Sequence, residues 1–277
     1  MSVRDEPDFN EKLEKLQTLL DLRGEPRTEI DQRYLTVDGI INRIDILKGM
    51  GLLSNHRILL IGDADLTGLA IAIFGDPTEV VVTDIDDRLS EIYFEANMEY
   101  DLPVRYVYHD MRIKIIAILR KQYSVVICEP PRTPAGIRVF LSRAAEIIEN
   151  GDDHRILISL PYRGELIEPF HQTLDELKIT DFKIHKEVNH YVDGDVSSFI
   201  ELNPPEDVEP VLKTHHIRPF YEHEYMREID EYKCVCRKSF YVGKDQTFIT
   251  VDELEEAGCD ACGYKGVFAY KSNIPIQ

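Results

Sequence analysis

Three apolar runs in the first half of the chain each close on an acidic residue. They are Arg57-Ile-Leu-Leu-Ile-Gly62-Asp63, Val80-Val-Val-Thr-Asp84, and Val125-Val-Ile-Cys-Glu129 followed by Pro130-Pro131. Continuous apolar runs separated by helical stretches mark parallel strands buried on both faces. Ligands of such sheets sit at the carboxyl ends of the strands, so Asp63, Asp84 and Glu129 should share one crevice. Three carboxylates in one site suit a ribose and an amine or other cation, and they repel phosphate. The first loop, Gly62-Asp-Ala-Asp-Leu-Thr-Gly68, lacks the Gly-x-Gly-x-x-Gly spacing of a pyrophosphate cradle. Asp63, at the strand terminus, is the stronger functional candidate. Asp65 has two readings, an N-cap for a helix starting at Leu66 and a ligand contact. Asp84 follows the first loop by about 20 residues, where an acid accepts both ribose hydroxyls of a nucleoside. Asp110 is placed either against an adenine amino group or as another helix cap, and His109 beside it is read as packing. In Glu129-Pro130-Pro131 each proline fixes φ and removes a donor. The rigid turn aims the carboxylate and neighbouring carbonyls at one point, as needed to orient a nitrogen nucleophile and take its proton.

The elements that must position these groups alternate. Strands are expected at 57–62, 79–84, 104–109, 123–128 and 154–160, with helices at 66–74, 87–99, 136–150 and 165–177 and a short helix ending at Lys121. Two further strands, 181–192 and 197–203, are joined across Asp193-Gly194-Asp195, a turn signal that makes the last pairing antiparallel. Alternation of this kind predicts an α/β, doubly wound, mostly parallel seven-stranded sheet. The antiparallel ending resembles class I S-adenosylmethionine-dependent transferases. Helical spacing over 8–22 and 37–50 predicts a helical segment, 1–54, that packs on a catalytic domain, 55–205. Beyond the proline-rich stretch 203–210 lies a Cys-rich module, 211–277, in which tyrosines crowd.

Composition sets outer bounds. The 277 residues carry a net charge of −19, which excludes a general attraction to nucleic acid. Hydrophobic content of 43% supports a buried core. No apolar run is long enough to span a membrane, and the first residues have no apolar stretch of a signal peptide. A cytoplasmic location is the default expectation, with a homo-oligomer among the compatible states.

Taken together, the site residues resemble the branched-chain polyamine synthase family, the N(4)-bis(aminopropyl)spermidine synthases. The stretches that carry the resemblance are Gly62-Asp63-Ala64-Asp65-Leu66-Thr67, Val82-Thr83-Asp84-Ile85-Asp86, Glu129-Pro130-Pro131-Arg132-Thr133 and Phe140-Leu141-Ser142-Arg143, with Asp31-Gln32 and the Asp110/Arg112 pair. They cover roughly residues 28 to 205. The resemblance implies an aminopropyl transferase whose donor is decarboxylated S-adenosylmethionine and whose acceptor is a polyamine-like amine. By that reading Asp63, Asp65 and Glu129 are catalytic, while Gly62, Asp84, Asp110 and Pro130 contact the donor. The chain departs from the family pattern at three places. Ala64 stands where the family has a third loop acid, Glu129 is one methylene longer than the family's Asp, and Arg132 introduces a cation. The residues before the core are also expected to be too few for the winged-helix domain that family members carry. Arg132 could pair with the carboxylate of intact S-adenosylmethionine, which keeps open methyl transfer to a protein or small molecule. A non-catalytic nucleoside- or partner-binding descendant is the third reading.

Cys234-Val-Cys236 and Cys259-Asp-Ala-Cys262 suit a closed structural zinc site of four thiolates. Redox thiols and an iron–sulfur cluster are the alternatives, and His215, His216 or His223 could replace one ligand. Cys128, in an apolar strand, is assigned to the core.

Overall fold

A computed structural model describes all residues except 1, 152–153, 217–219, 223–227, 244–245, 249 and 276–277. The chain forms two compact units, Met1–Arg218 and Pro219–Gln277.

In the first unit seven strands build one sheet: β1 (Arg57–Ile61), β2 (Glu79–Asp84), β3 (Val104–Tyr108), β4 (Val125–Cys128), β5 (Arg155–Leu160), β6 (Asp181–His190) and β7 (Val196–Asn203). Their order is β3-β2-β1-β4-β5-β7-β6. β1 to β5 pair in parallel, and β7 runs antiparallel to both β5 and β6. The tight turn at Gly194, whose φ is 87°, reverses the chain between β6 and β7. The strand order turns outward in both directions from β1 and β4, so their carboxyl ends flank the crevice expected at such a switch point. Ile58, Leu60, Val80, Val82, Val125 and Ile127 share one core cluster. The intervening Leu59, Ile61, Val81 and Val126 are equally buried, which places both faces of the sheet out of water.

The helices are α1 (Phe9–Leu20), α2 (Val37–Gly49), α3 (Thr67–Phe74), α4 (Arg88–Tyr100), α5 (Pro134–Ile147) and α6 (Ile167–Leu177). α1 and α2 join the main core through Leu16, Leu19, Ile40, Ile44 and Leu47. α5 starts earlier than its apolar pattern suggested, because Thr133 caps it by accepting from the Gly136 N–H at 2.8 Å with Pro134 in the first turn. The short helix expected before Lys121 is only a single 3-10 turn, Ala117–Leu119. The stretch after β7 stays with this unit, since the Leu212 N–H bonds Ser142 Oγ at 2.8 Å and the His216 N–H bonds the Arg112 carbonyl at 2.7 Å.

The second unit holds a three-stranded antiparallel sheet of β8 (Glu228–Lys233), β9 (Ser239–Val242) and β10 (Ala269–Pro275) in the order β10-β8-β9, and its described residues include a short helix, α7 (Val251–Ala257).

Candidate active site at the carboxyl ends of β1, β2 and β4

Gly62 leaves β1 with φ 76°, a conformation that costs glycine little. A Cβ there would also come within 3.1 Å of the Glu129 carbonyl, so glycine brings the β1 and β4 turns together. Asp63 follows and is fully buried. Its Oδ2 accepts from the Gly68 N–H at 2.9 Å and from the Tyr93 hydroxyl. Its Oδ1 is buried with no hydrogen-bond partner among the described residues. Burial pushes the Asp63 carboxyl well above its ordinary range; the Tyr93 and Gly68 bonds oppose the shift, and the Asp65 and Glu129 charges add to it. A Cβ at Gly68 would sit 2.8 Å from the Tyr93 hydroxyl and 3.0 Å from Asp63 Oδ2, so this glycine makes room for the Asp63–Tyr93 contact.

The cap expected from Asp65 is supplied instead by Asp63. Leu66 occupies the cap position of α3 in a left-handed conformation without a side-chain bond. Asp65 turns away from the helix and accepts from the Leu35 N–H, with Oδ2 3.7 Å from Arg43. Its pKa is raised to about 7 by burial, with Arg43 pulling it down and Glu129 pushing it up.

At the end of β2, Asp84 is held by backbone. Oδ2 accepts from the Asp63 N–H at 2.9 Å and Oδ1 from the Asp86 N–H at 2.8 Å. Burial raises its pKa against those bonds. Asp86 initiates α4 by accepting from the Arg88 N–H at 3.2 Å, and the Gln32 amide reaches it at 2.8 Å. Asp110 lies beyond the end of β3 and is engaged by Arg112, through its N–H at 2.9 Å and its guanidinium at 2.7 Å. His109 is buried, as expected of a packing residue.

Glu129 follows β4 directly, with Pro130 and Pro131 after it. Its Oε1 accepts from Ser159 Oγ at 2.6 Å and lies 2.5 Å from Arg43 Nη1. Arg43 was not singled out in the sequence, yet it organises this end of the crevice. It is fully buried, bonds Asn189 Oδ1 at 2.6 Å, Ser159 Oγ at 2.8 Å and Thr67 Oγ1 at 3.3 Å, and lies over the Phe199 ring. Burial works against its charge, but Glu129 and Asp65 outweigh that and hold it protonated. A sequence signal existed: Ile40, Arg43 and Leu47 follow the buried stripe of α2, where a cation needs a partner. Tyr191 completes the wall, its hydroxyl 3.0 Å from Ser197 Oγ and its pKa raised to about 12 by burial and the Glu129 charge. Arg132, expected to be available to a substrate carboxylate, has an internal one: it pairs with Asp195 and stacks on Tyr191 at 4.9 Å. Asp195 is also held by Arg163 at 2.7 Å.

The strand ends therefore gather two pairs of acids: Asp84 accepts from the Asp63 backbone N–H, and Asp65 and Glu129 both lie against Arg43. In the second unit Cys234, Cys236, Cys259 and Cys262 converge, with all four sulfurs within 4.8 Å of one another. His215 belongs to the first unit, where its Nδ1 accepts from the Lys114 N–H at 3.1 Å, and His223 lies outside the described residues. Cys128 is buried in β4.

The chain is similar to several known proteins. The chain is 26% identical over 190 residues to the N(4)-bis(aminopropyl)spermidine synthase of Methanocaldococcus jannaschii, covering 66% of this chain and 54% of that one. It is 30% identical over 136 residues to the enzyme of the same name from Thermococcus kodakarensis, covering 49% and 39%. The chain thus spans about half or less of the length of these relatives. The crystal structure of the branched-chain polyamine synthase from Thermus thermophilus, in complex with N4-aminopropylspermidine and 5'-methylthioadenosine, superposes with a TM-score of 0.69 at 20% identity, over 77% of this chain and 69% of that one. A putative RNA methyltransferase from Pyrococcus horikoshii shares the fold at TM-score 0.52 and 15% identity, over 70% of this chain and 96% of that one. The sequence model of the branched-chain polyamine synthase A C-terminal domain matches residues 11–237, and the chain belongs to that family.

Proposed function

We propose that the chain transfers an aminopropyl group from decarboxylated S-adenosylmethionine to an amine of a polyamine-like acceptor. The observation that carries this reading is the buried Asp63 carboxyl group, whose Oδ1 has no partner among the described residues and whose backbone N–H holds Asp84. A buried acceptor oxygen without a donor is costly, and an ammonium group supplies the missing donor and the missing charge. Asp84 accepts the ribose hydroxyls at the end of β2, Gly62 and Pro130 line the nucleoside side, and Asp110 lies toward the base. Glu129 faces the attacking nitrogen. The amine lone pair forms a C–N bond to the propyl carbon, and the C–S electrons return to sulfur, leaving a neutral thioether. The nitrogen gives up one proton to a carboxylate. Asp65, with a pKa of about 7, is matched to that transfer near neutrality.

The test is calorimetric titration with S-adenosylmethionine and separately with its decarboxylated form, followed by mass spectrometry of products with linear polyamines. Tighter binding of the decarboxylated donor and a mass gain of one aminopropyl unit are expected. Glu129→Gln and Asp63→Asn are expected to lower turnover about 10²- to 10⁴-fold, the range of general acid–base catalysis. Preference for intact S-adenosylmethionine would replace this reading with methyl transfer, and unchanged biological activity in both variants would leave a non-catalytic binding role.

A further inference from the structure

We propose that Cys234, Cys236, Cys259 and Cys262 hold one zinc ion and that the second unit folds only around it. The site lies outside the chemistry assigned to the crevice. Two of its four ligands, Cys259 and Cys262, also lie beyond the family match, which ends at residue 237.

The sulfurs already sit where one tetrahedral ion needs them. A Zn–S bond of about 2.3 Å gives a tetrahedron with edges of roughly 3.8 Å. Across the two cysteine pairs, Cys234 Sγ lies 3.5 Å from Cys262 Sγ and Cys236 Sγ lies 3.7 Å from Cys259 Sγ. Sulfurs of a multi-iron cluster must spread over several metal atoms and cannot all stay within 4.8 Å. Disulfide sulfurs would be about 2.0 Å apart.

The backbone repeats the same device twice. The Arg237 N–H returns to the Cys234 carbonyl at 2.8 Å, and the Gly263 N–H returns to the Cys259 carbonyl at 2.8 Å. Arg237 and Gly263 both have φ 72°, each just after the second cysteine of its pair. Four thiolates and Zn²⁺ carry two net negative charges. Lys238 lies beside the site and ties the two loops together through Asp260 at 2.5 Å.

The unit also needs a staple. Its main cluster of buried residues is Tyr232, Cys234, Phe240, Val242, Val251, Leu254, Cys259 and Phe268, two of them ligands themselves. A core of that size leaves so short a unit marginal unless a cross-link adds to it. All four cysteines are unbridged, and tetrathiolate coordination selects zinc over harder ions.

The experiment uses the full chain, purified under reducing conditions and measured by inductively coupled plasma mass spectrometry. One zinc per chain is expected, released together with four titratable thiols by an organomercurial. Replacement by Co²⁺ should give the intense visible bands and thiolate charge-transfer absorption of a tetrahedral sulfur site. Cys236→Ser and Cys262→Ser, at the two exposed ligands, should each lose at least tenfold in zinc retention while the nucleoside-binding unit still titrates. Zinc removal should expose 219–277 to proteolysis first. Iron in place of zinc, two disulfides with no metal, or a weak six-coordinate cobalt spectrum would each overturn the proposal. None of these readouts depends on transfer activity, so the fate of the aminopropyl reading leaves this one standing or falling by itself.

Discussion

The two ends of the crevice are built on different principles. At β1 and β2, Asp63 and Asp84 are held largely by nearby backbone: Asp84 accepts from the Asp63 and Asp86 N–H groups, and Asp63 Oδ2 from the Gly68 N–H as well as the Tyr93 hydroxyl, while Asp63 Oδ1 has no hydrogen-bond partner among the described residues. At β4, Glu129 is satisfied by a guanidinium delivered from α2, itself anchored by Asn189, 146 residues further along the chain. Backbone donors keep their place and their dipoles when a ligand enters, so the first end is the more rigid of the two. A buried ion pair can exchange partners, so the second end is where charge and proton can be redistributed during transfer.

Arg43→Met tests that contrast most severely. It would leave Asp65 and Glu129 close together without their cation, and would strip the partner from Asn189 Oδ1. Breaking a buried pair from one side costs about 3–5 kcal/mol, which urea denaturation would read directly. Adding Glu129→Gln to Arg43→Met should recover part of the loss, because contacting residues couple. A cost below about 1 kcal/mol would mean that this end is as solvated as a surface pair, and the contrast would fail.

At the other end, Asp84→Ala removes the acceptor of two buried N–H groups. Each unsatisfied group costs about 1–3 kcal/mol of stability. Donor affinity should fall about 10- to 100-fold, as lost hydrogen bonds to a charged group imply. Acceptor KM should change little. An equal loss for donor and acceptor would show that the two ends do not divide the substrates between them.

The same division governs pH dependence. Asp65 has a folded pKa of about 7, above its ordinary value, so the folded state binds the proton more tightly than the unfolded chain does. Its contribution to stability is therefore full below the unfolded pKa near 3.9 and is lost as pH rises through about 7. Thermal unfolding should show Tm falling between pH 5 and pH 8 by about 10 °C, which roughly 3 kcal/mol of proton linkage produces in a domain of this size. Asp65→Asn should flatten that slope. Turnover should run the other way in the wild type and rise through about 7, because the carboxylate must be free to take the proton.

These differences also explain which parts were legible in the sequence. The strands, their parallel pairing and the acids at their ends are local: apolar run, carboxylate, glycine or proline turn. Asp63, Asp84 and Glu129 were found that way and lie at strand ends in one crevice. Asp65 was half legible. Its position was right, but its capping role passed to Asp63, since Leu66 takes a left-handed conformation that swings the Asp65 side chain toward Leu35. Arg43, Asn189 and Tyr191 come from α2 and β6, and only tertiary packing joins them. No spacing rule links residues so far apart. Each cysteine loop was likewise readable from its own spacing, whereas the pairing of Cys234 with Cys262 and Cys236 with Cys259 is a product of the fold.

Arg132 offers the smallest effect and the sharpest reading. The sequence left open that it pairs with the carboxylate of intact S-adenosylmethionine. Its guanidinium instead pairs with Asp195 and lies 4.9 Å from the Tyr191 ring. Asp195 keeps Arg163 at 2.7 Å and Arg33 at 3.7 Å if Arg132 is lost. Arg132→Gln should therefore cost no more than about 1 kcal/mol and leave the ratio of affinities for the decarboxylated and intact donors within about threefold, near 0.6 kcal/mol. A selective loss of intact-donor binding beyond tenfold would show that Arg132 leaves Asp195 to meet a ligand carboxylate. That would move the second end of the crevice from reading amines to reading zwitterions, and methyl transfer would become the chemistry that the site favours.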